Sequence, residues 1–420
     1  MKIPDKEVLI VGAGLAGLSC ARRLMEDDIP FIVLEADQRI GGRLKTDYLN
    51  GFILNHGFQV LQTAYPETRC VLDYDRLALK PFEPGAIVRI DGRFYRVADP
   101  RRRPQDLWDT LTAPIGTMGD RLRLIRLALN VRWKMPSRIF EGQDMPTIEF
   151  LKSKGFSEKI IRRLLQPFFA GVCLDPEIKT SSRVFQYIFQ IFAQGDVALP
   201  GQGMSAIVDQ LKENLPADRI RTASRVESIH RQGVVLKSGE TIDGCAVVLA
   251  TEGPETARLA GTPIRQGSRG ELCLYFAAKV PPIDEPYLIL NGDGTGWVNS
   301  LTVPSVVAPN YAPAGQHLIS VVMLGHLDAD DATAETIVRK ELTAWFGPAV
   351  KDWRHLKTYR IAHALPEQPP PMPDPTGKAT PIKPGIFVCG EYGSVPGIQW
   401  AMLSGRRAAE ALIKEFGKDE

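Results

Sequence analysis

Val8-Leu9-Ile10-Val11 is an unbroken apolar run, the pattern of a short strand buried on both faces of a parallel sheet. The period then changes. Ala16, Leu18, Ala21 and Leu24 mark one apolar face at helical spacing, and Phe31-Ile32-Val33-Leu34 returns to the strand pattern. Farther along, the pattern predicts a helix over 204–215, a strand over 219–229, a hairpin through Gly233 and Gly239, and a strand Ala246-Val247-Val248-Leu249 leading to Thr251. A last strand, Ile386-Phe387-Val388, precedes a glycine-containing turn and a helix from Ile398. Strands alternating with helices in this way predict an α/β fold.

Two stretches interrupt the alternation: a helix-rich one over about 90–200 and a strand-rich one over 266–355, with strands at 271–276, 297–303 and 318–324. They predict an inserted α+β domain made of 86–199 and 266–355, which leaves a discontinuous first domain of 1–85, 200–265 and 356–420. Residues 366–375, dense in proline, read as a stiff loop. Asn291-Gly292-Asp293-Gly294-Thr295-Gly296 has no strand before it and no helix after it, so it reads as a turn.

Composition places the chain among globular enzymes of two domains or more, with 420 residues, 44% of them hydrophobic and 24% charged. A formal net charge of +2 gives no case for nucleic acid as a partner. The first strand begins within seven residues of Met1, leaving no room for a signal or transit peptide, and no apolar run is long enough to span a bilayer. A cytoplasmic setting is therefore expected. Cys20, Cys70, Cys173, Cys245, Cys273 and Cys389 are scattered, so neither a disulfide framework nor a metal site is expected. One segment stands apart in charge. Arg101-Arg102-Arg103 is followed by Arg121, Arg123, Arg126, Arg132 and Lys134 on a helix that also carries Leu122, Ile125, Leu129 and Trp133. The plainer reading is a helix with a solvated arginine face; the alternative is peripheral contact of residues 101–134 with an anionic membrane.

The glycines carry the chemistry. Gly12, Gly14 and Gly17, with Leu15 and Ala16 between them, sit where a strand turns into a helix: the first permits the tight turn, the second lets backbone N–H groups approach a pyrophosphate, and the third lets helix and strand pack closely. The helix start supplies a positive pole for phosphate. Glu35, eighteen positions after Gly17 and followed by Ala36, falls where a carboxylate accepts hydrogen bonds from an adenosine ribose. Arg39-Ile40-Gly41-Gly42-Arg43-Leu44-Lys45-Thr46 then adds a second glycine pair, which lets the backbone pass the pyrophosphate again, and a guanidinium for phosphate or ring carbonyls.

In this order, these motifs resemble the FAD-dependent superfamily of amine oxidases, phytoene desaturases and protoporphyrinogen oxidases. The resemblance extends to Ala246-Val247-Val248-Leu249-Ala250-Thr251 and to Ile386-Phe387-Val388-Cys389-Gly390-Glu391, with Tyr392 to Gly397 and the helix from Ile398 after it. It implies a Rossmann-like FAD-binding domain of the GR2 type, an inserted α+β substrate domain, and FAD held in an extended pose without a covalent bond. It implies cofactor contacts from the N-terminal motifs already named, from Gly57, Phe58 and Gln59, and from Val226, Ala250 and Thr251. At the C-terminal end it implies contacts from Gly390, Glu391, Gly397, Ile398, Gln399 and Ala401. A helix start aimed at the flavin suits the negative charge that develops on the reduced ring. Cys389, inside a strand pattern, reads as a small buried residue rather than a covalent flavin anchor.

Catalytic side chains are harder to read, because the cofactor carries most of the chemistry. Asn55-His56-Gly57-Phe58-Gln59 resembles the family's loop near the flavin, where aspartate is commoner than Asn55. His56 is a candidate general base or a loop hydrogen-bonder, and Gln59 a candidate polar contact. Trp400 is either an aromatic wall of the site or core packing. The segments Pro167-Phe168-Phe169-Ala170-Gly171-Val172 and Leu199-Pro200-Gly201-Gln202-Gly203-Met204 resemble segments flanking a substrate cavity. The lysine that the family's amine oxidases commonly use is absent from Arg269-Gly270-Glu271-Leu272-Cys273-Leu274-Tyr275-Phe276, and His363 stands alone at a strand end. The expected activity is removal of a hydride equivalent from a small hydrophobic or amine substrate, by C–C desaturation or C–N oxidation, with oxygen or a quinone as acceptor. The alternatives are a flavin-dependent isomerase and a carrier resembling the GDP-dissociation inhibitors, which share the fold without FAD.

Overall fold

The computed structural model describes residues 6–231, 233–261, 267–377 and 379–417. At its centre is a parallel five-stranded sheet in the order Ile220–Arg221, Phe31–Leu34, Val8–Val11, Ala246–Leu249 and Ile386–Val388. Its strands come from three separated stretches of chain. Val8–Val11 and Ala246–Leu249 are buried at every position, because both faces of the sheet are covered. Val8 and Ile10 pack toward the helices Leu15–Glu26 and Ile398–Phe416, whereas Leu9 and Val11 pack toward a three-stranded antiparallel sheet of Val226–His230, Gly233–Leu236 and Thr241–Asp243. The two helices approach closely through glycine. A Cβ on Gly405 would lie 1.9 Å from the Ala16 carbonyl oxygen, and one on Gly17 would lie 1.9 Å from that of Gly12.

The strand expected over 219–229 is two strands in two sheets. Ala223 adopts a left-handed conformation (φ 53°), and the Ala223 and Ser224 amides donate to the carbonyls of Asp37 and Glu35. This turn ends the parallel pairing and sends Val226–His230 into the antiparallel layer.

A seven-stranded mixed sheet lies beside this unit, in the order Arg354–Pro366, Ser268–Ala278, His317–Leu324, Val298–Thr302, Leu288–Asn291, Gly85–Ile90 and Arg93–Ala98. The helix Asp331–Phe346 covers one face with Ala334, Val338, Leu342 and Trp345. A helical region that includes Met118–Arg132, Gln166–Cys173 and Ser182–Gln194 has its own apolar core. Residues 291–296 form a turn, in which the Asn291 side-chain amide donates to the carbonyls of Thr295 and Val298, but contrary to expectation a strand, Leu288–Asn291, leads into it. The boundary expected between 265 and 266 lies outside the described residues, as do residues 1–5 and 418–420, whereas the boundaries expected at 85/86 and 355/356 fall within the strands Gly85–Ile90 and Arg354–Pro366. Among the described residues no helix is long and apolar enough to cross a membrane.

Candidate cofactor and active site

Two helices begin without caps at one cavity of about 640 Å³. The helix Leu15–Glu26 has Gly14 as its N-cap, with no side-chain cap and no acid in its first turn; Ile398–Phe416 starts in the same way at Gly397. The first intrahelical donor near the chain start is the Leu18 amide, bonded to the Gly14 carbonyl at 3.0 Å, so the amides of Leu15 and Ala16 precede the ladder and line the cavity. Uncapped helix starts present N–H donors and positive potential, which suit phosphate and other anions.

Glycine shapes the turn between them. Gly12 is left-handed (φ 106°), and a Cβ there would press to 2.9 Å from the Ala250 carbonyl oxygen. The second glycine pair docks on the first turn, with the Gly41 amide donating to the Ala13 carbonyl at 2.8 Å and a Cβ on Gly42 reaching within 3.3 Å of the Gly14 Cα. The result is a cradle that larger residues would fill. Glu35 closes one end, accepting from the Ala13 amide at 2.8 Å and the Asp37 amide at 2.9 Å while it lines the cavity beside Ala36.

Charges from the two ends of the chain meet here. Arg43 donates to the Ala364 carbonyl at 2.6 Å and pairs with the buried Glu391, whose other oxygen accepts from the Gly397 amide at 2.6 Å. A polar chain thus runs from the second glycine pair to the start of the last helix. Gln59 donates to the Arg43 carbonyl at 2.9 Å, and its own buried amide oxygen has no partner among the described residues, as is true of Gln62. Both line the cavity. Uncapped amides, a glycine cradle, a carboxylate at one end and orphaned acceptors fit an extended dinucleotide.

The cavity also takes in Leu44, Phe58, Val226, Ala250 and Thr251, and near the other end Gly390, Ile398 and Ala401. Three of the expected cofactor residues stand behind its wall. Gly17 serves helix packing, Gly57 (φ 90°) backs onto a side chain described below, and Gln399 accepts from the Glu67 amide at 2.8 Å. Two of the three candidate catalytic residues also lie outside the lining. The His56 ring turns away to Asp47, 3.0 Å from its carboxylate, and packs at a tilt against Tyr359; burial holds the imidazole below its usual range despite Asp47. Asp47 is held at about 2: burial would raise it, but hydrogen bonds from Arg39 and Tyr359, with His56 beside it, prevail. Trp400 is buried in the helical core, edge-on to Phe140 and Tyr187. Neither side chain is brought to the cavity.

Beyond the cradle the walls become apolar, with Phe168, Ile188, Phe192, Leu288, Leu290 and Val322. Pro167, Gly171 and Val172 join them, whereas Phe169 points into the helical core and 199–204 does not reach the lining, Met204 being buried against the sheet helices. His363 does line the cavity, with Nδ1 2.6 Å from the Ser268 hydroxyl.

Sequence reasoning missed Glu271. It belongs to Ser268–Ala278, the strand that carries no lysine, and it lines the cavity although it is only 6% exposed. A Cβ on Gly57 would lie 2.1 Å from its Oε1, and the Phe58 amide donates to it. Burial pushes the carboxyl up to about 7, the Phe58 amide opposing this only in part. The signal was available: an acid at the start of the apolar run Leu272-Cys273-Leu274 calls for a reason.

A sequence model of the family described as flavin-containing amine oxidoreductase matches residues 15–413. Protoporphyrinogen oxidase 2 of Arabidopsis thaliana is 24% identical over 190 residues, which is 45% of this chain and 37% of that protein. Polyamine oxidase 2 of the same plant is 37% identical over 79 residues, 19% of this chain and 16% of that one. The chain is therefore aligned over well under half the length of these curated relatives. A solved structure of a putrescine oxidase triple mutant superposes with a TM-score of 0.74 at 16% identity, covering 98% of this chain and 99% of that one. The fold is thus the α/β fold of FAD-dependent amine oxidases. These findings support FAD as cofactor and an oxidoreductase, and they give no support to the isomerase or carrier alternatives. With its profile matched across nearly the whole sequence, the chain belongs to the flavin-containing amine oxidoreductase family.

Proposed function

We propose that the protein is an FAD-dependent oxidoreductase that removes a hydride equivalent from a small hydrophobic or amine substrate, by C–N oxidation or C–C desaturation. The observation that carries this reading is the continuity of one cavity, from the polar glycine cradle at Gly14 to the apolar chamber at Phe168 and Leu290. Bound FAD would supply the two-electron acceptor, and oxygen or a quinone would reoxidise it. The chain's own residues bind and exclude. Glu35 would hold the ribose, and the amides of Leu15 and Ala16 the pyrophosphate. Arg43, fixed by Glu391, would place positive charge near the phosphates, while the start of the last helix favours negative charge at the ring end. The apolar walls remove water from the reacting carbon. The division of labour fits a cofactor domain of 1–85, 200–265 and 356–420 and a substrate domain of 86–199 and 266–355.

Anaerobic bleaching of the flavin-loaded protein by a panel of amines, polyenes and porphyrinogens tests the reading. Bleaching by at least one class supports it. A protein that neither carries FAD nor takes it up on reconstitution contradicts it.

We also propose that the helix Met118–Arg132 is a docking face for anionic lipid. Its apolar stripe faces outward: Leu122, Ile125 and Leu129 are each more than half exposed, and Trp133 just beyond is 81% exposed. Arg123 and Arg126 are exposed on the same helix, and the Arg132 guanidinium lies over the Trp133 ring. Exposed aromatic and aliphatic side chains flanked by arginine match the acyl and headgroup layers of an anionic bilayer. Arg101, Arg102 and Arg103 are paired with Asp99, Asp196 and Asp106, so the surface is narrower than residues 101–134. Flotation with phosphatidylserine vesicles at low salt should carry the wild type and leave a Leu129→Glu/Trp133→Glu variant behind. No flotation of the wild type, or equal flotation of both, overturns the assignment.

A further inference from the structure

Glu271 is a buried carboxylic acid at the wall of a largely apolar chamber, and among the described residues it has no ion-pair partner. The arginine nearest to it in sequence is engaged elsewhere: Arg269 faces Asp175 and Glu367. On the paired strand Arg360 is held by Asp331, and His363 by Ser268. Across the sheet His326 lies against Gly270, and the neighbouring thiol Cys273 is itself pushed up to about 12 by burial and by Glu271. His56, on the loop that approaches from the other side, points away to Asp47. Gly57 is what lets the carboxyl sit there, since any side chain at that left-handed position would occupy the space of Oε1.

A buried acid without a cation costs stability, and a site that keeps one is arranged for a ligand that offers positive charge or a proton. Resting on the oxidoreductase reading above, we propose that Glu271 is the acid–base group of the cavity and receives a proton from the ammonium of a primary or secondary amine substrate. The N–H bond of the ammonium breaks, an O–H bond forms on Glu271, and no electrons change hands. The product is a neutral amine carrying the nitrogen lone pair that oxidation of its α-carbon requires. The carboxyl's raised value, about 7, places this transfer within reach at neutral pH. A polyanionic substrate would meet the wrong charge at this wall.

The test compares wild type with Glu271→Gln, which keeps the shape and removes the charge. Binding of octylammonium and of the neutral octanol is measured by calorimetry, with perturbation of flavin absorbance on the FAD-loaded protein as a second readout. Wild type should bind octylammonium up to about tenfold more tightly at pH 8 than at pH 6, because the acid ionises between them. The variant should lose both the tenfold advantage and its pH dependence, with octanol affinity unchanged. The variant also separates Glu271 from His363 and His326, which it leaves unchanged. Equal octylammonium binding by both proteins, or an unchanged pH profile in the variant, overturns the proposal. Loss of FAD binding in the wild type would instead sink the oxidoreductase reading, and calorimetry would still decide the role of Glu271.

Discussion

The cavity has two halves built by different means. The cradle near Gly14 is made of backbone amides, glycines and charges that satisfy each other, as in the Arg43–Glu391 pair. The chamber near Phe168 is made of side chains from strands and helices far apart in sequence, around one carboxyl that accepts from the Phe58 amide and has no cation beside it among the described residues. The cradle's charges are paired while its helix-start amides stay open; the chamber holds an acid without a cation. This difference teaches where binding and where chemistry are to be sought: the paired half fixes a cofactor, and the unpaired half awaits a partner.

The comparison breaks most visibly if Glu271 is neutralised. Its folded value is raised to about 7 against an ordinary value of 4.5, so the native state binds more protons than the unfolded chain between these pH values. Stability is therefore full below the unfolded value and is lost as pH rises through about 7. Glu271→Gln should be more stable than wild type by up to about 3 kcal/mol at pH 8 and no more stable at pH 4, read by urea unfolding. In the cradle the same operation should do the opposite. Arg43→Met leaves Glu391 buried without its cation and should cost about 2–3 kcal/mol of stability, discounted because Arg43 is partly exposed. Glu35→Ala should weaken FAD by roughly 1–3 kcal/mol, measured by fluorescence titration, since charge-assisted ribose bonds are lost. An unchanged affinity would reject the ribose assignment. The smallest effect belongs to His56→Asn, which lies outside the cavity and should change kcat by less than about twofold.

The same contrast explains what the sequence disclosed. The spacing of Gly12, Gly14, Gly17 and Glu35 is local, and a strand, a turn and a helix place those residues with little freedom. Arg43 and Glu391 are far apart in sequence, yet each sits beside its own glycines, so the motifs located them separately. Direction is what one-dimensional pattern leaves open. His56 follows a strand and turns outward, and Trp400 opens the last helix but faces the helical core. The stripe of Leu122, Ile125 and Leu129 reads as amphipathic in sequence, which does not say that solvent meets the apolar side. Glu271 was passed over because the strand was searched for a lysine, although a lone acid among Leu272, Cys273 and Leu274 was the stronger clue. The split of 219–229 depended on a left-handed alanine, which no propensity favours.

The central claim, that both ends of the chain grip one dinucleotide, is tested most directly by a crystal structure of the FAD-loaded protein. The account predicts the adenosine ribose within hydrogen-bonding distance of Glu35, the pyrophosphate at the amides of Leu15 and Ala16, and the ring beside Gly397 and Ile398. Density for FAD at another surface, or reaching only one of the two helix starts, would contradict it.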